Sequence, residues 1–146
     1  DQRISGHVIW SEAEFAEPTP REQDALAIGS KERVLRIRRI RAYHDHPFMY
    51  EELAMVARHF PGLTEAAAKD ARITSLAQKF GLQLSHGLES VAPLMCPVEL
   101  VPKLGLEQPV PILKLERTVF KIGSTPIEFR IGWCHLREKQ YISVTS

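Results

Sequence analysis

Four side chains carry most of the chemical interest: Arg39, Arg41, Glu51 and Glu128. Residues Arg33 to Tyr43 alternate basic and β-branched or aliphatic residues, which spells a long strand. Strand side chains alternate between faces. Leu35, Ile37, Arg39, Arg41 and Tyr43 therefore share one face, and Arg36, Arg38, Ile40 and Ala42 the other. The first set starts apolar and ends in two guanidinium groups. An arginine just beyond core positions on the same face borders the core, and burying it without a partner is costly. Either carboxylates meet Arg39 and Arg41 in an internal ion-pair network, or an anionic ligand does. Arg36 and Arg38 read more simply as solvated. A four-residue loop at 44–47 with a slight shift sets Arg41 opposite Glu51 on the return strand. A carboxylate near two arginines combines donors with acceptors, which suits a small molecule carrying acid and hydroxyl groups. A structural salt bridge is the plainer alternative. Glu128 shares a strand face with Arg130, Gly132 and Cys134 and points either into a cleft or into water, and spacing alone favours water.

Other chemistries find less support. His44, Asp45 and His46 gather metal-ligand types in one loop, but turn formation explains them equally well. His7, His59, His86 and His135 are scattered. No Ser-His-Asp order, glycine-rich phosphate loop or HExxH stands out. Gly123-Ser124 reads as a hairpin turn, not a nucleophile elbow. Cys96 and Cys134 match no zinc or redox spacing, so a reducing compartment is expected, and no metal or cofactor.

The elements that must position these residues can be read along the chain. Ile4–Phe15 is a strand. Thr19 is an N-cap with Pro20 at the first helical position and Glu22 three residues on, starting a short helix through Ala27 that stops at Gly29. Arg33–Tyr43 and Phe48–Val56 form a hairpin across His44–Pro47. Thr64–Phe80 is a helix capped by Gly81. Gln83–Met95 is a strand, and Pro97–Leu104 a short helix ended by Gly105. Pro111–Ile122 and Thr125–Leu136 form a second hairpin, with Ile127, Phe129, Ile131 and Trp133 as its apolar face. Tyr141–Val144 is a last short strand. Paired strands between helices indicate an α+β domain on an antiparallel sheet with flanking helices.

Composition agrees. The 146 residues suit one domain, residues 1–146, with a core of its own. Apolar residues at 44% and charged residues at 25% describe a globular chain rather than a disordered one. A net charge of +1 argues against a dedicated nucleic-acid or membrane-surface module. No apolar run approaches the roughly 20 residues that span a bilayer. The start, Asp1-Gln2-Arg3, lacks an initiator Met and does not look like a signal peptide, so a piece of a longer chain is expected.

Several stretches together resemble a known family. They are Arg33-Val-Leu-Arg-Ile-Arg-Arg-Ile-Arg, Pro47-Phe-Met-Tyr-Glu-Glu, Phe60-Pro-Gly-Leu and Lys79-Phe-Gly, followed by Leu104-Gly, Pro111-Ile-Leu-Lys-Leu-Glu-Arg and Gly123-Ser-Thr-Pro-Ile-Glu-Phe-Arg. In that order they resemble the UTRA domain, the effector-binding domain of GntR-type bacterial transcription regulators of the HutC subfamily. The likeness runs from about Ile4 to Val144. It implies a chorismate lyase-like fold and a cytoplasmic homodimer with a small-molecule cleft. It also implies a winged-helix DNA-binding domain ahead of Asp1, which would make all the DNA contacts.

Members that sense sugar phosphates use two strand arginines, which fall on Arg39 and Arg41. Their two glutamates fall on Glu51 and Glu128. A phosphate-holding serine at the start of the central helix falls on Ala71, and a tyrosine falls on Cys134. Those two departures favour a carboxylate effector over a phosphosugar. The resemblance thus implies a small anionic effector, an organic acid or sugar derivative, clamped by Arg39 and Arg41. Glu51 and Glu128 would accept its hydroxyl or amine hydrogens, and the helix from about Ala71 would close the cleft. The rivals are a chorismate lyase-like enzyme acting on an aromatic carboxylate and a bare dimerisation module whose cleft its own side chains fill.

Overall fold

The computed structural model of the chain describes residues 6–136, so the strand expected at Tyr141–Val144 lies outside the described residues. Six strands form one antiparallel sheet: β1 (His7–Ala16), β2 (Val34–Tyr43), β3 (His46–Val56), β4 (Leu84–Met95), β5 (Pro111–Lys121) and β6 (Thr125–Cys134). Their order across the sheet is β1-β2-β3-β6-β5-β4. Helix α1 (Pro20–Leu26) covers one face, and α2 (Glu65–Ala68) and α3 (Ile73–Lys79) cover the other. The expected α+β architecture, an antiparallel sheet with flanking helices, is the one observed.

Local signals account for several elements. Thr19 Oγ1 accepts the Glu22 amide at 3.1 Å, and the Glu22 carboxylate accepts the Thr19 amide at 2.9 Å. This capping box starts α1. The helix ends at Ala27 in a left-handed conformation, φ 54°, rather than at Gly29. The core is divided by the sheet. Ala68, Ile73 and Leu76 pack on Leu35, Ile37, Leu53, Met55, Val119 and Ile127. On the opposite face Leu26 packs on Val34, Ala54, Val56 and Phe129, while Leu100 and Leu104 pack with Tyr50, Cys96 and Ile112.

Four expectations are corrected. The first hairpin turns on two residues, His44 and Asp45, with His44 at φ 57°, and β3 begins at His46. This moves the register by two: Arg39 stands opposite Glu51, and Arg41 opposite Met49. The single helix over 64–80 is two helices with a break at 69–72, where Arg72 is extended (φ −99°, ψ 146°). The helix over 97–104 is a 3₁₀ turn at Val98–Leu100 followed by further turns. Pro102 has no amide hydrogen to donate to the Val98 carbonyl, and Val101 makes the shorter bond to it at 3.2 Å. Finally, the apolar face of β6 is divided. A register shift between Val119 and Phe120 puts Ile127 in the core beneath α2 and α3, while Phe129 and Ile131 pack with α1.

Candidate functional site

The antiparallel register arranges the charges in rows on the face beneath α2 and α3. One row holds Ser11, Arg39, Glu51 and Gly132 from β1, β2, β3 and β6. The next holds Leu53, Arg130, Arg117 and Glu89 from β3, β6, β5 and β4. Arg130 and Arg117 are thus direct cross-strand partners. Like charges opposite each other destabilise a sheet by a few tenths to about 1 kcal/mol unless something neutralises them.

Glu51 is the hub of this arrangement and is 1% exposed. Arg41 Nε donates to its Oε1 at 3.0 Å. Arg130 Nη1 lies 3.5 Å from Oε2, and Arg39 Nη1 lies 3.8 Å from Oε1. Burial alone would raise the carboxyl's pKa, but the three guanidinium groups outweigh it and hold the group below its ordinary 4.5. Burial likewise opposes the charge on Arg130, yet Glu128 and Glu51 hold its proton more tightly than usual. Glu128, sent into water by spacing, is instead 1% exposed and 3.3 Å from Arg130 Nη2. Its cross-strand partners Met55 and Val119 are core residues, so the row it stands in is covered. Arg130 Nε is buried without a hydrogen-bond partner among the described residues.

Arg39 is fully buried, and its donors point to the backbone of the helix break. Nε donates to the Lys69 carbonyl at 2.7 Å, and Nη2 donates to those of Ala68 at 3.2 Å and Ala71. Helix C-termini leave carbonyls without intrahelical partners, and here a side chain about thirty positions earlier in the chain satisfies them. Burial pulls the Arg39 pKa down to about 10, against the attraction of Glu51, so it remains a cation at neutral pH. From β1, Ser11 Oγ donates to Asp70 Oδ1 at 2.7 Å and ties the same break down from a second side.

Beside this network opens a cleft of about 290 Å³ lined by Arg41, Met49, Glu51, Arg72, Ile73, Thr74, Arg117 and Arg130. Four guanidinium groups face one carboxylate there. The break at 69–72 brings Arg72 and Thr74 to the rim. Arg117 reaches the cleft across Gly87 of β4, where an added Cβ would stand 2.9 Å from Arg117 Nε.

Of the six residues singled out from sequence, Arg41 and Glu51 line the cleft. Arg39 and Glu128 are buried and do not line it. Ala71 contributes its carbonyl to Arg39, and Cys134 packs with Phe48 and Leu115, its thiol pushed up to about 12 by burial. Arg72, Arg117 and Arg130 were not anticipated. Arg130 carried a usable signal, since it alternates in phase with Glu128. Arg36 and Arg38, read as solvated, are ion-paired on the opposite face. Arg36 Nη2 meets Glu22 at 2.6 Å, and Arg38 Nε meets Glu52 at 3.1 Å. They line a second cleft of about 200 Å³ in which arginines and glutamates offset one another.

Among the described residues no group of three or more His, Cys, Asp or Glu could hold a metal ion. No described helix is long and apolar enough to cross a membrane.

The chain is 28% identical over 109 residues to the HTH-type transcriptional repressor STM4068 of Salmonella typhimurium, covering 74% of this chain and 45% of that protein. It therefore spans about half the length of the curated relative it matches. Its fold superposes with a TM-score of 0.81 on the ligand-binding domain of a Bordetella bronchiseptica protein assigned to the GntR family of transcriptional regulators. That pair is 25% identical and covers 96% of this chain and 91% of that one. The effector domain of PhnF from Mycobacterium smegmatis also matches, at a TM-score of 0.81, 15% identity and coverage of 94% and 84%. The family model described as the UTRA domain matches residues 2–138, nearly the whole chain, and the chain belongs to the UTRA domain family.

Proposed function

We propose that this chain is the effector-binding and dimerisation domain of a bacterial transcription regulator of the GntR type, HutC subfamily. It works in the cytoplasm as a homodimer and needs no cofactor. DNA contact belongs to a winged-helix domain elsewhere in the protein, and effector binding biases the dimer geometries in which that domain reads DNA. The effector is a small anion, an organic acid or a sugar derivative.

The observation that carries this reading is the cleft's charge. Arg130 and Arg117 stand directly opposite each other, and Arg41 and Arg72 join them around the same space. Among the described residues the one lining carboxylate is Glu51, already shared among Arg39, Arg41 and Arg130. An anion entering there relieves the excess and gives Arg130 Nε an acceptor. Each charge-assisted hydrogen bond contributes roughly 1.5–3 kcal/mol. Thr74, also on the lining, can accept or donate toward a hydroxyl group of the ligand. A regulator is favoured over a chorismate lyase-like enzyme because the similar proteins bear the names of transcriptional regulators.

A thermal-shift screen of organic acids and sugar acids tests this. A ligand at about 100 times its Kd adds about 2.7 kcal/mol of stability. The expected result is one or a few anions that raise Tm in the wild type and leave Arg41→Gln unmoved. An Arg41→Gln protein that responds equally would overturn the site assignment.

A further inference from the structure

We propose that Arg39 is a positioning residue of the effector site: its planar fork sets the break between α2 and α3, and the break presents Arg72 and Thr74 to the cleft. This deepens the proposed function and rests on the same cleft. It differs from the ligand-clamp role that the family resemblance implies for this arginine.

The geometry is specific. Three donor contacts run from Nε and Nη2 to the carbonyls of Lys69, Ala68 and Ala71, the segment where a single helix was expected. The remaining Nη1 faces Glu51, whose other partners are Arg41 and Arg130 of the cleft wall. Arg39 is itself absent from the lining and fully buried. The carbonyls it draws out of helical register are those preceding Arg72, which is extended, and α3 restarts at Ile73. Ser11 holds Asp70 in the same turn. The cleft wall formed by Arg72, Ile73 and Thr74 thus depends on a side chain that a ligand in the cleft has no need to touch. A lysine is a point charge and cannot reproduce a planar fork reaching several carbonyls.

Amide hydrogen exchange on the wild type, Arg39→Lys, Arg39→Met and Arg41→Gln, with citrate as the anionic probe, tests the proposal. The amides to follow are Lys69, Ala71 and Leu76, bonded to the Glu65, Ala68 and Arg72 carbonyls. In Arg39→Met, Glu51 keeps Arg41 and Arg130, so this variant leaves no carboxylate stranded if the lysine variant fails to fold. The expected result is about tenfold or greater loss of protection at those three amides in both Arg39 variants, with the β2–β3 amides unchanged. Citrate affinity should fall in parallel. Arg41→Gln should lose citrate affinity while keeping wild-type protection at the break. Wild-type protection in Arg39→Lys would mean that charge alone suffices, and wild-type protection in Arg39→Met that the break forms without Arg39; either result overturns the proposal. Unchanged citrate affinity in Arg41→Gln would overturn the cleft assignment instead, without touching the exchange result.

Discussion

Replacing Glu51 with Gln removes a carboxylate that lies within ion-pair reach of three buried or half-buried arginines. The amide keeps a carbonyl oxygen within reach of Arg41 Nε, now 3.0 Å from the carboxylate, so that hydrogen bond survives in weaker form. The loss is electrostatic: Arg39, Arg41 and Arg130 then repel one another, with Glu128 beside Arg39 and Arg130 and Glu89 toward Arg130 offsetting only part of the charge. Removing one partner of a buried ion pair costs about 3–5 kcal/mol. The surviving bond and the partly exposed Arg130 place Glu51→Gln near the lower figure, about 3 kcal/mol. At roughly 2–4 °C per kcal/mol for a chain of this length, Tm should fall by roughly 6–12 °C. Urea titration gives the free energy directly, and the m-value should stay constant. Sulfate, added at constant ionic strength, should restore more stability to Glu51→Gln than to the wild type, because it can neutralise Arg41 and Arg130 from the cleft. A loss below about 1 kcal/mol, typical of exposed pairs, would refute the claim that Glu51 organises this network.

Further outcomes follow from the same structure. The Glu51 pKa is depressed in the fold, so its stabilising effect is fully present above the ordinary carboxylate value of 4.5 and is lost as pH falls through the lower, folded value. Wild-type stability should therefore decline below about pH 4.5 more steeply than that of Glu51→Gln, as read by urea titrations at stepped pH. Gly87→Ala places a methyl group 2.9 Å from Arg117 Nε, and the flexible side chain yields rather than the backbone. Tm should hold to within a few degrees while anion affinity falls, as calorimetric titration would record. Thr19→Ala removes half of the capping box of α1 and should cost about 1 kcal/mol in urea unfolding without changing anion affinity.

Features set by neighbours in sequence were readable from sequence. Thr19-Pro20 with Glu22 marks the start of α1, and the second hairpin turns at Gly123-Ser124 between β5 and β6 as expected. Strand alternation put Arg39 and Arg41 on the face that borders the core, and Glu51 proved to be their partner. What was missed depends on distant partners. The break at 69–72 is held by Arg39 and Ser11, and no local residue pattern announces it. The register of β2 on β3 turns on His44 adopting φ 57°, which makes a two-residue turn where four residues were counted. Glu128 is buried because Met55 and Val119 flank it on adjacent strands, a fact invisible in its own strand. Arg117 and Arg130 come from one hairpin and Arg72 from a helix start, and only the folded sheet brings these three to Arg41 on the first hairpin.

The proposed effector site places an anion among Arg41, Arg72, Arg117 and Arg130. Crystals of this chain soaked in selenate, with anomalous data collected at the selenium edge, would locate that anion. The expected result is an anomalous peak in the cleft within hydrogen-bonding distance of at least two of those guanidinium groups, including Arg130 Nε, which has no acceptor among the described residues. A cleft free of selenate, with peaks confined to outer-surface lysines and arginines, would contradict it.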